Sequence, residues 1–135
     1  MLIEKLIREE IDAINKGDLE AVCGYYTDDV VFLDISAPDQ PAVGMAAFKE
    51  AMRAFFTAFP DMHIEITRIF SDPEGKVALA EYSLQGTQQG PMGDLAPTNR
   101  FFKVMAASVY ELRGDKFCKE TLYWDTASVF KQLGL

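Results

Sequence analysis

The twelve residues from Trp124 to Leu135, WDTASVFKQLGL, decide how the chain folds at its end. The apolar segment before them ends on an aromatic residue, Asp125 follows, and the tail closes on Gln132-Leu133-Gly134. An aspartate in front of a helix accepts hydrogen bonds from the free N–H groups of the first turn. This stretch therefore predicts a strand that ends at Trp124 and a short helix that begins directly after Asp125.

Upstream of this tail, hydrophobic periodicity predicts three helices and one strand within the first sixty residues. Apolar residues recur at helical spacing from Leu2, and Gly17 lies in the stop sequence that follows. Pro60 ends a later helix, because the residue before a proline is pushed out of the α region. The predicted elements are a helix that ends near Asn15, a short helix from Asp18 to Tyr25 or Tyr26, a strand at Val30–Ile35 and a helix at Gly44–Phe59.

Beyond Asp61 the sequence favours long antiparallel strands. Residues 72–75 and 114–115 are turn sequences, which separate strands predicted at 63–71, 76–88, 100–113 and 116–124. Helices gathered first and strands afterwards are typical of an α+β domain in which a sheet wraps the helices. A length of 135 residues is ordinary for a single domain, so we expect one domain over residues 1–135.

The composition argues against several classes of function. Thirteen Lys and Arg against 21 Asp and Glu give a net charge of -8, which offers no basic surface for nucleic acid. The amino terminus interrupts its apolar residues with charges, as neither a signal peptide nor a membrane span does, so we expect a cytoplasmic protein. Cys23, Cys118 and the single histidine, His63, have no partners at ligand spacing, and no metal site is predicted.

Four motifs, in order along most of the chain, resemble those of the SnoaL-like polyketide cyclases, also called ester cyclases, of the nuclear transport factor 2-like superfamily. They are Phe59-Pro60-Asp61-Met62, Gly86-Thr87-Gln88-Gln89-Gly90, Ala96-Pro97-Thr98 and the tail from Trp124. The resemblance implies a cone-shaped α+β fold whose curved sheet encloses an apolar pocket, and a homodimer formed through the sheet. It also implies a small hydrophobic, polyketide-like substrate and a cofactor-free cyclisation that needs an acid/base carboxylate.

The chain departs from the family pattern at two positions. The acid/base aspartate of the cyclases falls at Leu122, which cannot transfer protons, and the family's Gly-Thr-His becomes Gly-Thr-Gln at Gln88. An amide donates and accepts hydrogen bonds but does not titrate. The cyclase mechanism therefore cannot be transferred unchanged.

Glu120 and Asp34 are the main candidates to replace the missing carboxylate. Strand alternation places Glu120 on the same face as Leu122, so it faces the pocket, unless it is a charge at the open rim of the sheet. Asp34 falls where ketosteroid isomerases, relatives of this fold, carry their general base; it either serves the pocket or bonds the following loop. The other isomerase residues correspond to Glu10 and Ser108, so the oxyanion-stabilising groups are expected to be missing.

Asp125 is a third catalytic candidate, although a helix cap is the favoured interpretation. Aromatic residues at 48, 55, 56 and 59 form a stripe that belongs to the core and in a cone fold also lines a pocket. The expected ligand contacts are Phe32, Phe55, Phe59, Tyr82, Gln88, Met92, Leu122 and Trp124.

Two hypotheses about function follow. In the first, the protein is a cofactor-free cyclase or isomerase that acts on a hydrophobic carbonyl compound, with Asp34 or Glu120 as acid/base and Gln88 orienting a polar oxygen. In the second, it is a non-catalytic ligand-binding or dimeric scaffold protein that has lost its proton-transfer groups, as Leu122 and Gln88 indicate. A third, weaker interpretation uses the outer face of the sheet for contact with other proteins.

Overall fold

A curved six-stranded sheet dominates the structure, a computed structural model that describes residues 1–135. Its strands are β1 (Tyr26–Asp34), β2 (Ala42–Val43), β3 (His63–Ser71), β4 (Val77–Thr87), β5 (Phe101–Arg113) and β6 (Lys116–Trp124). The spatial order is β2-β1-β6-β5-β4-β3. Only β1 and β6 are parallel, and the other neighbours are antiparallel. The predicted mainly antiparallel sheet is confirmed.

Four helices accompany this sheet. They are α1 (Leu2–Asn15), α2 (Leu19–Cys23), α3 (Met45–Ala58) and α4 (Thr126–Leu133). The predicted α2 was too long and the predicted β1 began too late. Tyr26 already pairs with Phe117 of β6, and the exposed polar residues after it hide this strand start from a search for apolar runs.

Aspartates cap two of the helices. Asp18 Oδ1 accepts a hydrogen bond of 3.1 Å from the backbone N–H of Ala21 at α2, and Asp125 Oδ1 accepts one of 3.0 Å from Ser128 at α4. Gly134 ends α4 in the left-handed conformation (φ 79°), which glycine adopts at little steric cost. The predicted strand, cap and helix of the tail are confirmed.

The core lies between the concave face of the sheet and helices α1 and α3. Even-numbered residues of β4 and β5 point into it, from Ala78 to Gly86 and from Phe102 to Tyr110. On α1 the buried stripe of Ile3, Ile7 and Ile14 also includes Glu10, which is 1% exposed. A carboxyl group thus enters a layer that is otherwise apolar. None of the four helices is long and apolar enough to cross a membrane.

Candidate functional site

A cleft of about 440 Å³ opens between α3, the end of β6 and the loop that follows β4. We call it the outer cleft; its lining includes Asp34, Phe55, Phe59, Met92 and Trp124. Ligand sites for small molecules are commonly of this size and are mainly apolar with a few polar groups. The outer cleft has this character, since Asp34 lies among several aromatic and aliphatic side chains.

A second, smaller space of about 50 Å³ lies deeper in the cone. This inner cavity is lined by Glu10, Ile14, Phe32, Met52, Phe55, Met62, Ile64, Tyr82, Leu84, Glu120 and Leu122. Nine of these eleven residues are hydrophobic, and the other two are glutamates. The volume is enough for a few water molecules or one small functional group. The inner cavity can therefore hold the polar end of a ligand but not a whole polyketide.

Phe55 lines both spaces and so separates them. Its ring meets the Trp124 ring edge to face, with the ring centres 5.9 Å apart. Phe55 belongs to α3, and its side chain is half-buried. This one side chain lies between the outer cleft and the inner cavity. Phe55 is therefore the side chain that the outer cleft and the inner cavity share.

Glu10 of α1 and Glu120 of β6, here called the acidic pair, meet at the Tyr26 hydroxyl. The Tyr26 oxygen lies 2.8 Å from Glu10 Oε1 and 2.5 Å from Glu120 Oε1. Tyr110 donates a further hydrogen bond to Glu10 Oε2 at 3.4 Å. Glu120 is only 7% exposed, so it is not a charge at the rim of the sheet, and that alternative is wrong.

Burial raises the pKa of both members of the acidic pair. For Glu10 the loss of solvent is the main cause, and the like charge of Glu120 adds to it, against the opposing effect of the tyrosine hydroxyls. For Glu120 burial also outweighs the hydrogen bonds from Tyr26 and Ser108. The pKa of the buried Tyr26 is raised as well, so its hydroxyl remains protonated. The acidic pair therefore retains protons more readily than exposed glutamates.

Asp34 occupies a different environment at the inner end of the outer cleft. Its Oδ1 accepts hydrogen bonds from Trp124 Nε1 at 2.9 Å and from the backbone N–H and the hydroxyl of Ser36 at 2.9 and 2.6 Å. Both interpretations of Asp34 thus apply, because it bonds the following loop and also lines the cleft.

The sheet register relates Asp34 to the acidic pair. β1 and β6 run parallel, with Phe32 opposite Glu120 and Asp34 opposite Leu122. Strand rise and spacing then put the Cα atoms of Asp34 and Glu120 about 8 Å apart on the same face. Leu122, where the resemblance places the aspartate of the cyclases, is paired with Asp34 and lies two residues from Glu120 along β6. Both carboxyl groups are therefore neighbours of Leu122 in the sheet.

Gln88 does not have the predicted place in the site. Its side chain is fully buried, its amide nitrogen donates to the Ala96 carbonyl at 3.1 Å, and its oxygen accepts from the Thr98 hydroxyl at 2.9 Å. It lines neither the outer cleft nor the inner cavity. Instead of the predicted ligand contact, the Gln88 side chain makes hydrogen bonds that hold the loop between β4 and β5. The polar groups of this loop have no strand partner, so Gln88 takes that place.

Asp125 is likewise separate from the acidic pair. It is exposed, its carboxylate caps α4, and it borders a groove on the outer face of the sheet. Its predicted catalytic role is not supported, since its oxygen is engaged at the helix start. His63 is exposed on β3, as predicted, and no group of three His, Cys, Asp or Glu side chains is arranged to hold a metal ion.

The polar residues around the inner cavity were not predicted as a group. The tyrosine and aspartate of the isomerases are absent, as Glu10 and Ser108 stand at those positions, but other hydroxyl groups surround Glu10. Tyr82 and Ser108 hydroxyls lie 2.8 Å apart in the same buried region, next to Tyr110 and Tyr26. One signal was available: Glu10 lies three residues after Ile7 and four before Ile14, on the apolar stripe of α1.

Comparisons with known proteins show the family and the fold of the chain. The sequence pattern of the SnoaL-like polyketide cyclase family matches residues 4–133. No curated protein sequence matches the chain at a significant level. A Jannaschia sp. CCS1 protein named "Putative SnoaL-like polyketide cyclase" has a solved structure with a TM-score of 0.87 and 15% identity, covering 98% of this chain and 91% of its own.

Two further solved structures have the same fold. An NTF2-like protein of unknown function from Burkholderia pseudomallei K96243 gives a TM-score of 0.83 at 14% identity, covering 100% of this chain and 99% of its own. TerC, co-crystallised with polyporic acid, gives 0.79 at 12% identity and covers both chains fully (100% and 100%). The fold is thus that of the nuclear transport factor 2-like proteins, and the chain belongs to the SnoaL-like polyketide cyclase family.

Proposed function

We propose that the protein binds a small hydrophobic carbonyl compound and catalyses its cyclisation or isomerisation by cofactor-free proton transfer. The body of the compound would lie in the outer cleft, against Phe59, Met92 and Trp124. Its carbonyl end would enter the inner cavity once Phe55 moves aside. TerC, a neighbour in fold, is co-crystallised with a small organic molecule, which is consistent with a ligand site in this architecture.

One observation carries the proposal. Two carboxyl groups in contrasting environments, Asp34 and Glu120, lie on one face of the sheet, and Phe55 lies between the two spaces that they line. Two carboxyl groups in different surroundings are the usual arrangement for an acid and a base. Asp34, half-exposed in the outer cleft, suits the base; Glu120, buried in an apolar cavity, suits the acid.

The non-catalytic alternative rests on Leu122. That side chain occupies the position of the family's aspartate and makes the wall between Asp34 and Glu120 apolar. A protein that only binds a hydrophobic ligand needs the outer cleft but neither carboxyl group. The two functions therefore differ in whether the carboxyl groups affect ligand turnover or only ligand affinity.

The proposal includes a homodimer formed through the outer face of the sheet. Met105 and Tyr123, which are 53% and 46% exposed, line an open groove there together with Ile35 and Ala107. Exposed apolar patches of this kind commonly mark interfaces. A second copy packed on this face would cover them and leave the outer cleft, on the other side of β6, open to ligand.

Proton exchange on a model ketone tests the catalytic proposal. 2-Tetralone is incubated with protein in D₂O, and NMR follows loss of the protons next to the carbonyl, with buffer alone as the reference. We expect exchange above the buffer rate with the wild type and a decrease of about tenfold or more in Asp34→Asn and in Glu120→Gln. Glu65→Gln, at an exposed strand position, is the matched control.

Binding of the same ketone separates the two functions. Trp124 is the only tryptophan and lines the outer cleft, so its fluorescence reports occupancy. Binding by all variants with no exchange above buffer, even in the wild type, would support the ligand-binding alternative. Equal exchange rates in the wild type, Asp34→Asn and Glu120→Gln would exclude the acid/base assignment.

A further inference from the structure

We propose that Glu10 and Glu120 share a single proton through the Tyr26 hydroxyl and form the proton-donating end of the site, facing a neutral carbonyl oxygen in the inner cavity. The inference deepens the proposed function and depends on it for its ligand. The sharing of the proton is a property of the protein alone and is measured without ligand.

The Tyr26 hydroxyl has one hydrogen but two carboxyl neighbours. Its oxygen is within hydrogen-bond distance of both carboxyl groups, 2.8 Å from Glu10 Oε1 and 2.5 Å from Glu120 Oε1. A phenol carries one hydrogen and donates it to one acceptor. The other contact is a hydrogen bond only when that carboxyl group is protonated and donates to the phenol oxygen. One proton on the acidic pair gives both contacts a hydrogen, and this is the arrangement that we infer.

The surroundings of the acidic pair supply no other compensation for two negative charges. The titratable or polar groups that face it are Tyr26 from β1, Tyr82 from β4, and Ser108 and Tyr110 from β5. Helix α3 contributes only apolar residues to the inner cavity, Met52 and Phe55. No Lys, Arg or His is buried in the molecule. Two ionised carboxylates would therefore repel each other without a cation between them.

The kind of ligand follows from this charge. A site that already holds one negative charge repels an anionic group, while a protonated carboxyl group donates a hydrogen bond to a neutral oxygen. The inner cavity of about 50 Å³ has room for a group of carbonyl size. Glu10 and Glu120 both line it, so either can meet the ligand oxygen as a catalytic residue.

The chemical step balances without a further reactant. Asp34 takes a proton from the carbon next to the carbonyl, and the C–H electron pair becomes the new C=C bond. The C=O π pair moves to oxygen, which receives the shared proton from the acidic pair. An enol forms, Asp34 is protonated, and the acidic pair is left fully ionised. In the reverse step Asp34 returns a proton to the carbon and the enol returns one to the acidic pair. When the Asp34 proton has exchanged with D₂O in between, the ketone gains deuterium.

Infrared spectroscopy of the ligand-free protein tests the shared proton. The carbonyl stretch of a protonated carboxylic acid is followed against pH in the wild type, Glu10→Gln, Glu120→Gln and the exposed control Glu65→Gln. We expect one such band in the wild type and the control at neutral pH. In both Glu10→Gln and Glu120→Gln its titration should move down by about one pH unit or more, because the like charge is removed.

The outcomes are decisive even if a variant does not fold. A wild-type spectrum without a protonated carboxyl group at neutral pH overturns the inference by itself. A band that responds to only one of the two substitutions also overturns it, since a single residue then holds the proton.

Ketone exchange distinguishes this inference from the proposed function. If the proposed function and the shared proton are both right, ketone exchange should slow as pH rises through the range in which the infrared band disappears. In Glu10→Gln this slowing should occur at lower pH. A shared proton in the spectrum without any ketone exchange by the wild type would remove the proposed function and leave the acidic pair intact. An exchange rate and pH profile unchanged in Glu10→Gln would overturn the role of Glu10 in donation.

Discussion

Glu10 lies on α1 where neighbouring turns carry Ile7 and Ile14, and its burial there couples protonation to stability. Burial raises its pKa above the ordinary glutamate value of 4.5, and Glu120 shifts in the same direction. A carboxyl group whose pKa is higher in the folded state binds more protons there than in the unfolded chain. Its stabilising contribution is complete below the unfolded pKa and is lost as pH rises through the folded pKa.

In Glu10→Gln the free energy of unfolding should therefore change less steeply with pH than in the wild type, at pH values above the ordinary pKa of glutamate. In the wild type the free energy of unfolding should fall with rising pH by up to about 1.4 kcal/mol per pH unit for each proton retained by the fold. Urea denaturation at a series of pH values measures this slope. The control Glu65→Gln should follow the wild type; a Glu10→Gln curve parallel to the wild type would contradict the coupling.

At the scale of elements, the loop between β4 and β5 depends on one buried amide. Gln88 holds Ala96 and Thr98, and the same loop brings Met92 to the outer cleft. Gly90 is equally constrained, because a Cβ there would lie 2.0 Å from the Thr57 carbonyl oxygen of α3. The wall of the outer cleft is thus positioned by the Gln88 hydrogen bonds and by the close approach of Gly90 to α3.

Gln88→Ala should destabilise the protein by about 1–3 kcal/mol, since it removes a fully buried side chain together with its hydrogen bonds to Ala96 and Thr98. Thermal or urea unfolding measures the loss, and the exposed neighbour Gln89→Ala should lose little. If Gln88 served the ligand instead, its replacement would weaken ketone binding while the free energy of unfolding stayed the same.

The cap of α4 gives a separate test of Asp125. Asp125→Ala removes the acceptor of the Ser128 N–H and should cost about 1 kcal/mol of stability, with ketone exchange at the wild-type rate. Asp39→Ala, at an exposed loop position, serves as the control for loss of a carboxylate. A large loss of exchange in a folded Asp125→Ala protein would restore its catalytic role.

Local sequence predicts those parts of the fold whose signals are local. The strands His63–Ser71 and Lys116–Trp124 and the capped tail follow from alternation, turns and an aspartate next to a helix. The start of β1 does not, since Tyr26 becomes a strand residue only by pairing with Phe117, ninety residues away in sequence. Its polar neighbours give no apolar pattern of their own.

The candidate site was predictable only in part for the same reason. Strand alternation correctly turned Glu120 and Leu122 to one side of β6, and both line the inner cavity. The acidic pair needs Glu10 from the first helix beside Tyr26 and Tyr110, a contact that spans 100 residues of sequence. No local motif predicts the contact between these residues. A glutamate on the apolar stripe of a helix predicts only that its carboxyl group is buried.

At the scale of the whole molecule, the two faces of the sheet are suited to different tasks. The concave face carries the core and the acidic pair, while the convex face exposes Met105 and Tyr123 around an open groove. Burial of such apolar surface between two copies would stabilise a dimer. The site and the expected interface therefore share β5 and β6 but use alternate residues along them.

Light scattering after size exclusion should give the mass of a dimer for the wild type. Met105→Asp and Tyr123→Asp should give monomers, because a charge buried in an apolar interface is costly. Val43→Asp, at the exposed strand β2 on the sheet edge, is the control and should remain dimeric. A monomeric wild type, or dimers in all three variants, would place the interface elsewhere or remove it.

In the proposed complex, a ketone carbonyl enters the inner cavity and is polarised by the acidic pair. The carbonyl stretch of bound, ¹³C-labelled 2-tetralone measures this directly, since a hydrogen bond from a carboxylic acid lowers its frequency. We predict a frequency below that of the ketone in water for the wild type, and a return towards the value in an apolar solvent for Glu120→Leu. The same carbonyl frequency for ketone bound to the wild type and to Glu120→Leu would show that the acidic pair does not polarise the carbonyl.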